Sequence, residues 1–223
     1  MKNCRILSVI AALALIMSAG CRNSVPAETS LPRSTPEAEG VSSDELLTFL
    51  DSASVSRHEF HSIMVVRHGK VIAEGWWNPY GPDLRHTLYS VSKSFTSTAV
   101  GFAVTEKLLS VDDKVVSFFP DQLPDTVSPN LADMTVRDLL TMTAGQSPDP
   151  SNIISSSGKD WVPAFLDLPV VNDPGSKFLY NSMATFMLSA IVEKVTGEKL
   201  IDYLQPRLFG PLGIEGMDWE SSP

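Results

Sequence analysis

Apolar positions alternate over one short stretch of this chain and recur at helical spacing almost everywhere else. Ser62-Ile63-Met64-Val65-Val66 reads as a strand, Arg67-His68-Gly69-Lys70 as a turn, and Val71 to Trp77 as the returning strand. Asn78-Pro79-Tyr80-Gly81-Pro82 then breaks the pattern. Ahead of the hairpin, Leu46, Leu47, Phe49 and Leu50 keep a mostly helical spacing behind Ser42-Ser43-Asp44-Glu45, where Ser42 and Glu45 offer a capping box. After it, a long helix is expected to begin near Ser90, with Val91, Phe95, Ala99 and Phe102 as its apolar stripe. Thr135-Val136-Arg137-Asp138 presents another N-terminal cap, with Leu139 and Leu140 behind it. Ser147 to Lys159, rich in Ser, Pro, Asn and Gly, reads as a surface loop. Trp161, Ala164, Phe165 and Leu168 mark a short helical face. Met183, Phe186, Met187, Ala190 and Ile191 mark a stronger one that ends at Gly197, a natural C-cap. Leu200, Tyr203 and Leu204 continue in helix spacing until Pro206, and there is no internal repeat.

The order is therefore one hairpin followed by many helices. A lone hairpin is marginal in water and needs more strands or packed helices. Nothing after residue 180 reads as a strand, so the sheet is expected to be unfinished within these residues.

The N-terminus follows different rules. Lys2 and Arg5 precede an apolar run from Ile6 to Met17, and Ser18-Ala19-Gly20-Cys21 follows. A positive start, a short apolar run and small residues describe a secretory signal over residues 1–21; the run is too short to span a bilayer comfortably. Cys21 would then be the one cysteine left after processing, since Cys4 lies in the signal, and no disulfide could form. This placement resembles a bacterial lipoprotein with Cys21 carrying the lipid and Ser18 replacing the usual large aliphatic residue. Ordinary signal cleavage near Gly20 is the alternative. Residues 22–40, with Pro26, Pro32 and Pro36 among small and polar residues, read as a tether. Residues 41–223 carry the domain.

Composition narrows the function classes. The chain has 223 residues, 43% hydrophobic and 19% charged, enough for one domain with a real core. Its formal net charge is −9, and its 17 Lys and Arg residues form no basic run, which argues against a nucleic-acid partner.

The candidate chemistry lies at Ser90-Val91-Ser92-Lys93. Serine is a weak nucleophile at neutral pH and needs a positioned base. Residues three apart share a helix face, with Cβ atoms roughly 5–6 Å apart, so the Lys93 amine can reach the Ser90 oxygen. A partly desolvated lysine near other cations can lose its proton near neutrality. Free N–H groups at a helix N-terminus can hold an oxyanion. A second Ser-x-x-Lys, Ser156 to Lys159, sits in the Ser/Gly loop with no helix behind it and reads as accidental.

Leu88-Tyr89-Ser90-Val91-Ser92-Lys93-Ser94-Phe95 resembles the nucleophile segment of class C β-lactamases, penicillin-binding proteins and related esterases, a group defined by Ser-x-x-Lys. Leu108 to Asp113 is similar to the segment after that family's nucleophile helix. Thr135 to Gly145 resembles its "LLT-x-T-S-G" helix and turn, with Ala144 in place of Ser. Phe178-Leu179-Tyr180 and the helix to Thr196-Gly197 resemble its second-motif region, and Tyr203 to Gly213 its next landmark. The resemblance implies an α/β (α+β) fold of the β-lactamase/transpeptidase-like kind, with an antiparallel sheet and a helical lobe, incomplete in this chain. It also implies acyl transfer through an ester at Ser90. Lys93 would take the proton with Tyr180 assisting, and no cofactor would be needed. In the family a Tyr-x-Asn motif faces the serine. Here Tyr180-Asn181-Ser182 puts the amide one position early and Ser182 at the substrate-binding position. A core tyrosine beneath the following helix is the plainer reading of Tyr180. The family's third element, Lys or His followed two residues later by Gly, is absent, which suggests that the chain ends before it.

Two functions follow from different classes: a serine hydrolase acting on an ester, amide or β-lactam-like substrate, or a lipid-anchored module that binds cell-wall peptides or β-lactams without hydrolysis. The small-molecule or peptide substrate is common to both. His58, His61, His68 and His86 show no metal-ligand spacing, and His68 reads as a turn residue. Asp112 and Asp113 read as capping or backbone contacts. Trp76 and Trp77 read as packing at a strand end.

Overall fold

The structure, a computed structural model, describes residues 31–155, 158 and 160–222. The expected signal with Cys4 and Cys21, residues 22–30 of the expected tether, and the second pair Ser156 and Lys159 lie outside the described residues. Helix α1 (Ser43–Ser54) leads into strands β1 (Ser62–Arg67) and β2 (Lys70–Trp76). The helices that follow are α2 (Ser92–Thr105), α3 (Pro129–Asp133), α4 (Val136–Leu140), α5 (Ser151–Ser155), α6 (Trp161–Leu166), α7 (Ser182–Thr196) and α8 (Leu200–Leu204).

The strands pair antiparallel, Ser62 opposite Trp76 and Arg67 opposite Lys70, with a bulge between Val65 and Val66. His68 and Gly69 both have positive φ, 51° and 76°. That is the handedness a two-residue hairpin loop needs, and glycine adopts it without steric cost. Among the described residues the sheet has these two strands. Leu47 and Phe49 of α1 and Met64 and Val66 of β1 remain about half exposed, apolar surface that no element among the described residues covers. Trp77 donates its indole N–H to Ser54 Oγ at 3.2 Å, fastening α1 to the hairpin, and packs at a tilt on Phe60.

Residues 31–40 are not the free tether their composition suggests. Ser34 N–H donates to the Val71 carbonyl at 3.0 Å and Val71 N–H to the Pro32 carbonyl at 2.7 Å. A strand edge with unpaired backbone groups can take up a segment with no core of its own, and composition does not register that. Glu39 anchors this segment, accepting from Lys70 Nζ at 2.7 Å and meeting His68 Nδ1 at 3.0 Å. Hydrogen bonding from Lys70 first, then Ser34 and His68, holds its carboxyl down to about 2 from 4.5. Because the folded value lies below the unfolded one, Glu39 stabilises fully above pH 4.5, and that contribution vanishes as pH falls through about 2. Glu39→Gln is expected to flatten the dependence of urea-unfolding stability on pH across that window. An unchanged slope would remove Glu39 from the account.

The caps follow the sequence with one exchange. Thr135 and Asp138 form a reciprocal capping box on α4. Ser42 Oγ accepts from Glu45 N–H at 3.3 Å, but a second carboxylate contact at this helix start comes from Glu37, which accepts from Ser43 N–H at 2.9 Å.

The core is helical, built around α7, against which α2 and α4 pack. Helix α7 buries Met183, Ala184, Met187, Leu188, Ile191 and Val192 and ends at Gly197, whose φ of 73° and bond to the Glu193 carbonyl make the C-cap. Helix α2 buries Thr96, Ala99, Val100 and Ala103; of the expected stripe only Ala99 is buried, and Val91, Phe95 and Phe102 are not. Val91 is exposed, and both phenylalanines pack at the rim of the core. Small residues let helix axes approach, so they take the closest contact while bulky ones flank it. Reading the stripe from the largest apolar residues missed that rotation.

Two further expectations change. Within the expected surface loop, Asp149 Oδ1 accepts from Ser151 N–H and Oγ, and α5 forms there with Ile154 buried in the core. The chain also does not stop at Pro206. It continues as one π turn, Gln205–Phe209, a position at which proline's missing N–H would not have been used. Tyr203 holds this end down. It is fully buried, donates to Glu106 Oε2 at 3.0 Å, and lies 3.8 Å from the Arg207 guanidinium. Burial, with the Glu106 carboxylate, pushes its phenol up to about 12, so it stays a neutral donor.

Candidate active site

Ser90 lies in a single 3-10 turn, Tyr89–Val91, immediately ahead of α2. The helix expected to begin near Ser90 begins at Ser92. Val91 N–H donates to the Leu88 carbonyl at 3.0 Å, and Ser92 Oγ donates to the Tyr89 carbonyl at 2.5 Å. Tyr89 adopts φ 46°, a left-handed conformation unusual for a non-glycine residue. Such a residue costs on the order of 1–3 kcal/mol and persists where its surroundings over-determine it. Its side chain is 81% exposed, so packing of the ring does not explain the strain. The strained peptide directly precedes the nucleophile candidate.

Lys93 lies on the first turn of α2 and donates from Nζ to Ser90 Oγ at 3.3 Å. Tyr180 reaches the same oxygen, its hydroxyl 2.5 Å from Ser90 Oγ. Lys93 Nζ also lies 5.2 Å from the Tyr180 ring centroid. The structure thus brings together the three residues singled out by sequence, from segments ninety residues apart. Tyr180 is 45% exposed and is not the core residue of the plainer reading. Its phenol pKa is lowered from 10, first by the hydrogen bond with Ser90, then by that with Lys93 and by the lysine charge, against partial burial. Ser182 adds a smaller contribution of the same sign.

The platform beneath Tyr180 is the Thr135 to Gly145 segment and the turn after it. Leu179 N–H donates to the Met142 carbonyl and Gly175 N–H to the Thr143 carbonyl, both at 2.9 Å. Val171 and Asn172 N–H groups both reach the Gly145 carbonyl, at 3.1 and 3.0 Å. Gly145 has φ +87°, and a Cβ there would lie 2.3 Å from the Asn172 carbonyl oxygen, so only glycine fits. Asn181, the displaced amide, turns inward. Its Oδ1 caps α7 by accepting from Ala184 N–H at 3.1 Å, and its Nδ2 donates to Gln146 Oε1 at 3.0 Å. Sequence reasoning missed Tyr89, Ser92 and Gln146. The Asn181 N-cap was legible as an amide before a helix, whereas nothing local marks Gln146.

A groove of about 830 Å³ opens beside Lys93 and Ser182 and runs past Thr96, Trp161 and Phe186 to Trp219. The remaining candidates are structural. Asp112 pairs with Arg137 at 2.7 Å, and Asp113 Oδ2 accepts from Ser110 N–H at 2.7 Å. His61 stacks on Tyr80 with ring centroids 3.7 Å apart. Among the described residues, no group of three His, Cys, Asp or Glu is placed to hold a metal, and no helix is long and apolar enough to cross a membrane.

Residues 59–223 match the Beta-lactamase family model. A 6-aminohexanoate-dimer hydrolase of Paenarthrobacter ureafaciens is 29% identical over 197 residues, which is 81% of this chain and 50% of that protein. Among solved structures, FmtA from Staphylococcus aureus superposes with TM-score 0.59 at 17% identity, covering 86% of this chain and 54% of that one. EstCE1, a hydrolase with promiscuous acyltransferase activity, superposes with TM-score 0.59 at 22% identity, covering 76% and 51%. These two likenesses are of fold: mixed helix and antiparallel sheet, the sheet small here. The chain spans between about a third and a half of the length of the curated relatives it matches.

Proposed function

The chain belongs to the Beta-lactamase family, and we propose that it carries the nucleophile, lysine and phenol of a serine hydrolase working through an acyl-enzyme at Ser90. The observation that carries this reading is the reach of both Tyr180 Oη and Lys93 Nζ to Ser90 Oγ, at 2.5 and 3.3 Å. Tyr180 is the shorter contact and the group whose pKa is lowered, so it serves as the base, with Lys93 as the cation that favours its phenolate. This reverses the emphasis drawn from family resemblance, in which lysine takes the proton. Tyr180 accepts the Ser90 proton as Oγ bonds to the substrate carbonyl carbon. The carbonyl bond to the leaving group breaks, and the leaving group takes that proton from Tyr180. Water then attacks the Ser90 ester, gives a proton to Tyr180, and Tyr180 returns it to Ser90 Oγ.

The substrate class supported best is an ester or amide. The 6-aminohexanoate-dimer hydrolase aligns with 81% of this chain at 29% identity, and Ser182 stands where a β-lactam-directed site would carry an amide with longer reach. Incubating the protein that carries this chain with a fluorophosphonate should place the adduct on Ser90. An adduct elsewhere, or none, overturns the assignment. Labelling without turnover of a p-nitrophenyl ester would favour the non-hydrolysing binding module instead.

The N-terminal sequence supports export and attachment through Cys21. Metabolic palmitate labelling in a bacterial host should tag the wild-type protein and not Cys21→Ser. Recovery of unlabelled wild type from the soluble periplasm would exclude the anchor.

A further inference from the structure

We propose that Gln146 is a positioning residue, which through its hydrogen bond to Asn181 sets where Tyr180 stands over Ser90; the proposal rests on the serine hydrolase reading above. Gln146 is 4% exposed. Its Oε1 accepts from Asn181 Nδ2 at 3.0 Å, while its own Nε2 is buried without a partner among the described residues. A buried N–H left unpaired costs free energy that an apolar side chain of the same size would avoid. An amide is therefore a poor choice for packing at this position. What it contributes is the acceptor oxygen. An orphaned polar atom beside a reactive centre is where local rules are commonly broken for function.

The geometry shows what the acceptor holds. Asn181 directly follows Tyr180, and both ends of its side chain are committed, one to the N-terminus of α7 and one to Gln146. Gln146 directly follows Gly145, whose carbonyl gathers Val171 and Asn172. The segment leading to Tyr180 is thus tied to the 142–146 turn upstream by the Gly145, Thr143 and Met142 carbonyls and downstream by the Gln146–Asn181 bond. Tyr180 itself is half exposed, so no packing shell around the ring fixes it. Without the downstream tie, Asn181 can still cap α7 but has nothing to set its rotation. The phenol then loses its 2.5 Å approach to Ser90 and its closeness to Lys93, the charged group that faces it from α2.

The test uses Gln146→Met, which keeps the volume and removes the acceptor, and Gln146→Glu, which keeps an acceptor oxygen at the same reach. Rates are normalised to the fraction of Ser90 phosphonylated by a fluorophosphonate, so loss of folded protein does not enter. Gln146→Met should lower kcat by on the order of 10²-fold, the size of effect that a misplacement of about 1 Å produces, with KM little changed. Gln146→Glu should restore most of it. In parallel, Tyr180 ionisation is followed by ultraviolet difference absorption against Tyr180→Phe. Its titration should move upward, toward the ordinary tyrosine value, in Gln146→Met and return in Gln146→Glu. A Gln146→Met variant that melts at a lower temperature but keeps kcat and the phenol titration would assign Gln146 a purely structural role and overturn the proposal, as would a Glu variant no better than Met. If wild-type protein is not labelled by the fluorophosphonate at all, the hydrolase reading fails. The phenol titration, which needs no turnover, then still decides whether Gln146 positions Tyr180.

Discussion

Replacing Ser90 with alanine is expected to lower kcat for a p-nitrophenyl ester by on the order of 10⁶, the loss seen when a serine hydrolase nucleophile is removed from its triad. The size follows from what the site loses. Ser90 Oγ is the shared partner of Tyr180 Oη and Lys93 Nζ, and neither can form the ester. Binding should suffer little, because the groove beside the site is lined from Ser92 and Lys93 onward and not by Ser90, so the loss falls on kcat and KM stays within a few-fold. Folding should survive as well. Ser90 lies exposed in a single 3-10 turn, and that turn is closed by the Val91 to Leu88 bond and by Ser92 Oγ, not by the Ser90 side chain. The measurement is steady-state turnover with fluorophosphonate labelling of the same preparation. A variant that is still labelled and retains more than a hundredth of its activity would falsify the assignment of Ser90. Substituting Ser156 gives the control, since that second motif has no helix behind it in the sequence.

Tyr180→Phe is expected to lower kcat by about 10²–10⁴, the range supplied by a positioned general base, and to change the pH profile. Acylation needs the phenolate, so the wild-type rate rises with pH through the Tyr180 pKa. That value lies below the ordinary 10 because the Ser90 hydrogen bond and Lys93 both favour the ionised form. Removing the hydroxyl removes this limb of the profile and leaves residual activity without it. Lys93→Met keeps the phenol and removes the cation, so the limb should survive but shift upward toward 10. The two substitutions thus give different signatures, and pH–rate profiles of kcat/KM for the two variants distinguish them. A limb that stays in place in Tyr180→Phe would mean that another group titrates, and Lys93 would become the base.

The division between these roles was not legible in the sequence. Ser90 and Lys93 were, because the spacing of a single helix turn carries the information. Side chains three apart meet on one face wherever the chain is helical, and the flanking residues reinforced the assignment. The strand–turn–strand pattern of residues 62–77 was legible for the same reason, since alternation and a two-residue turn are local properties. So were the Thr135 cap and the Gly197 stop.

Contacts between distant segments decided the rest. Tyr180 was assigned a catalytic role by family resemblance, and its neighbours alone leave the core reading open. Only the ladder from Met142, Thr143 and Gly145 to the residues before α7 places its hydroxyl on Ser90. Composition made residues 31–40 a tether, and an open edge of β2 made them part of the hairpin layer. The apolar stripe of α2 was centred on Phe95, Ala99 and Phe102, and packing kept Ala99 but replaced the phenylalanines with Thr96, Val100 and Ala103. Gln146 had no signal at all, because its meaning lies in one hydrogen bond to a residue thirty-five positions away. Period and caps depend on the next four residues of chain, so sequence contains them. The height of a phenol over a serine depends on what is packed beneath it, and only the tertiary structure determines that.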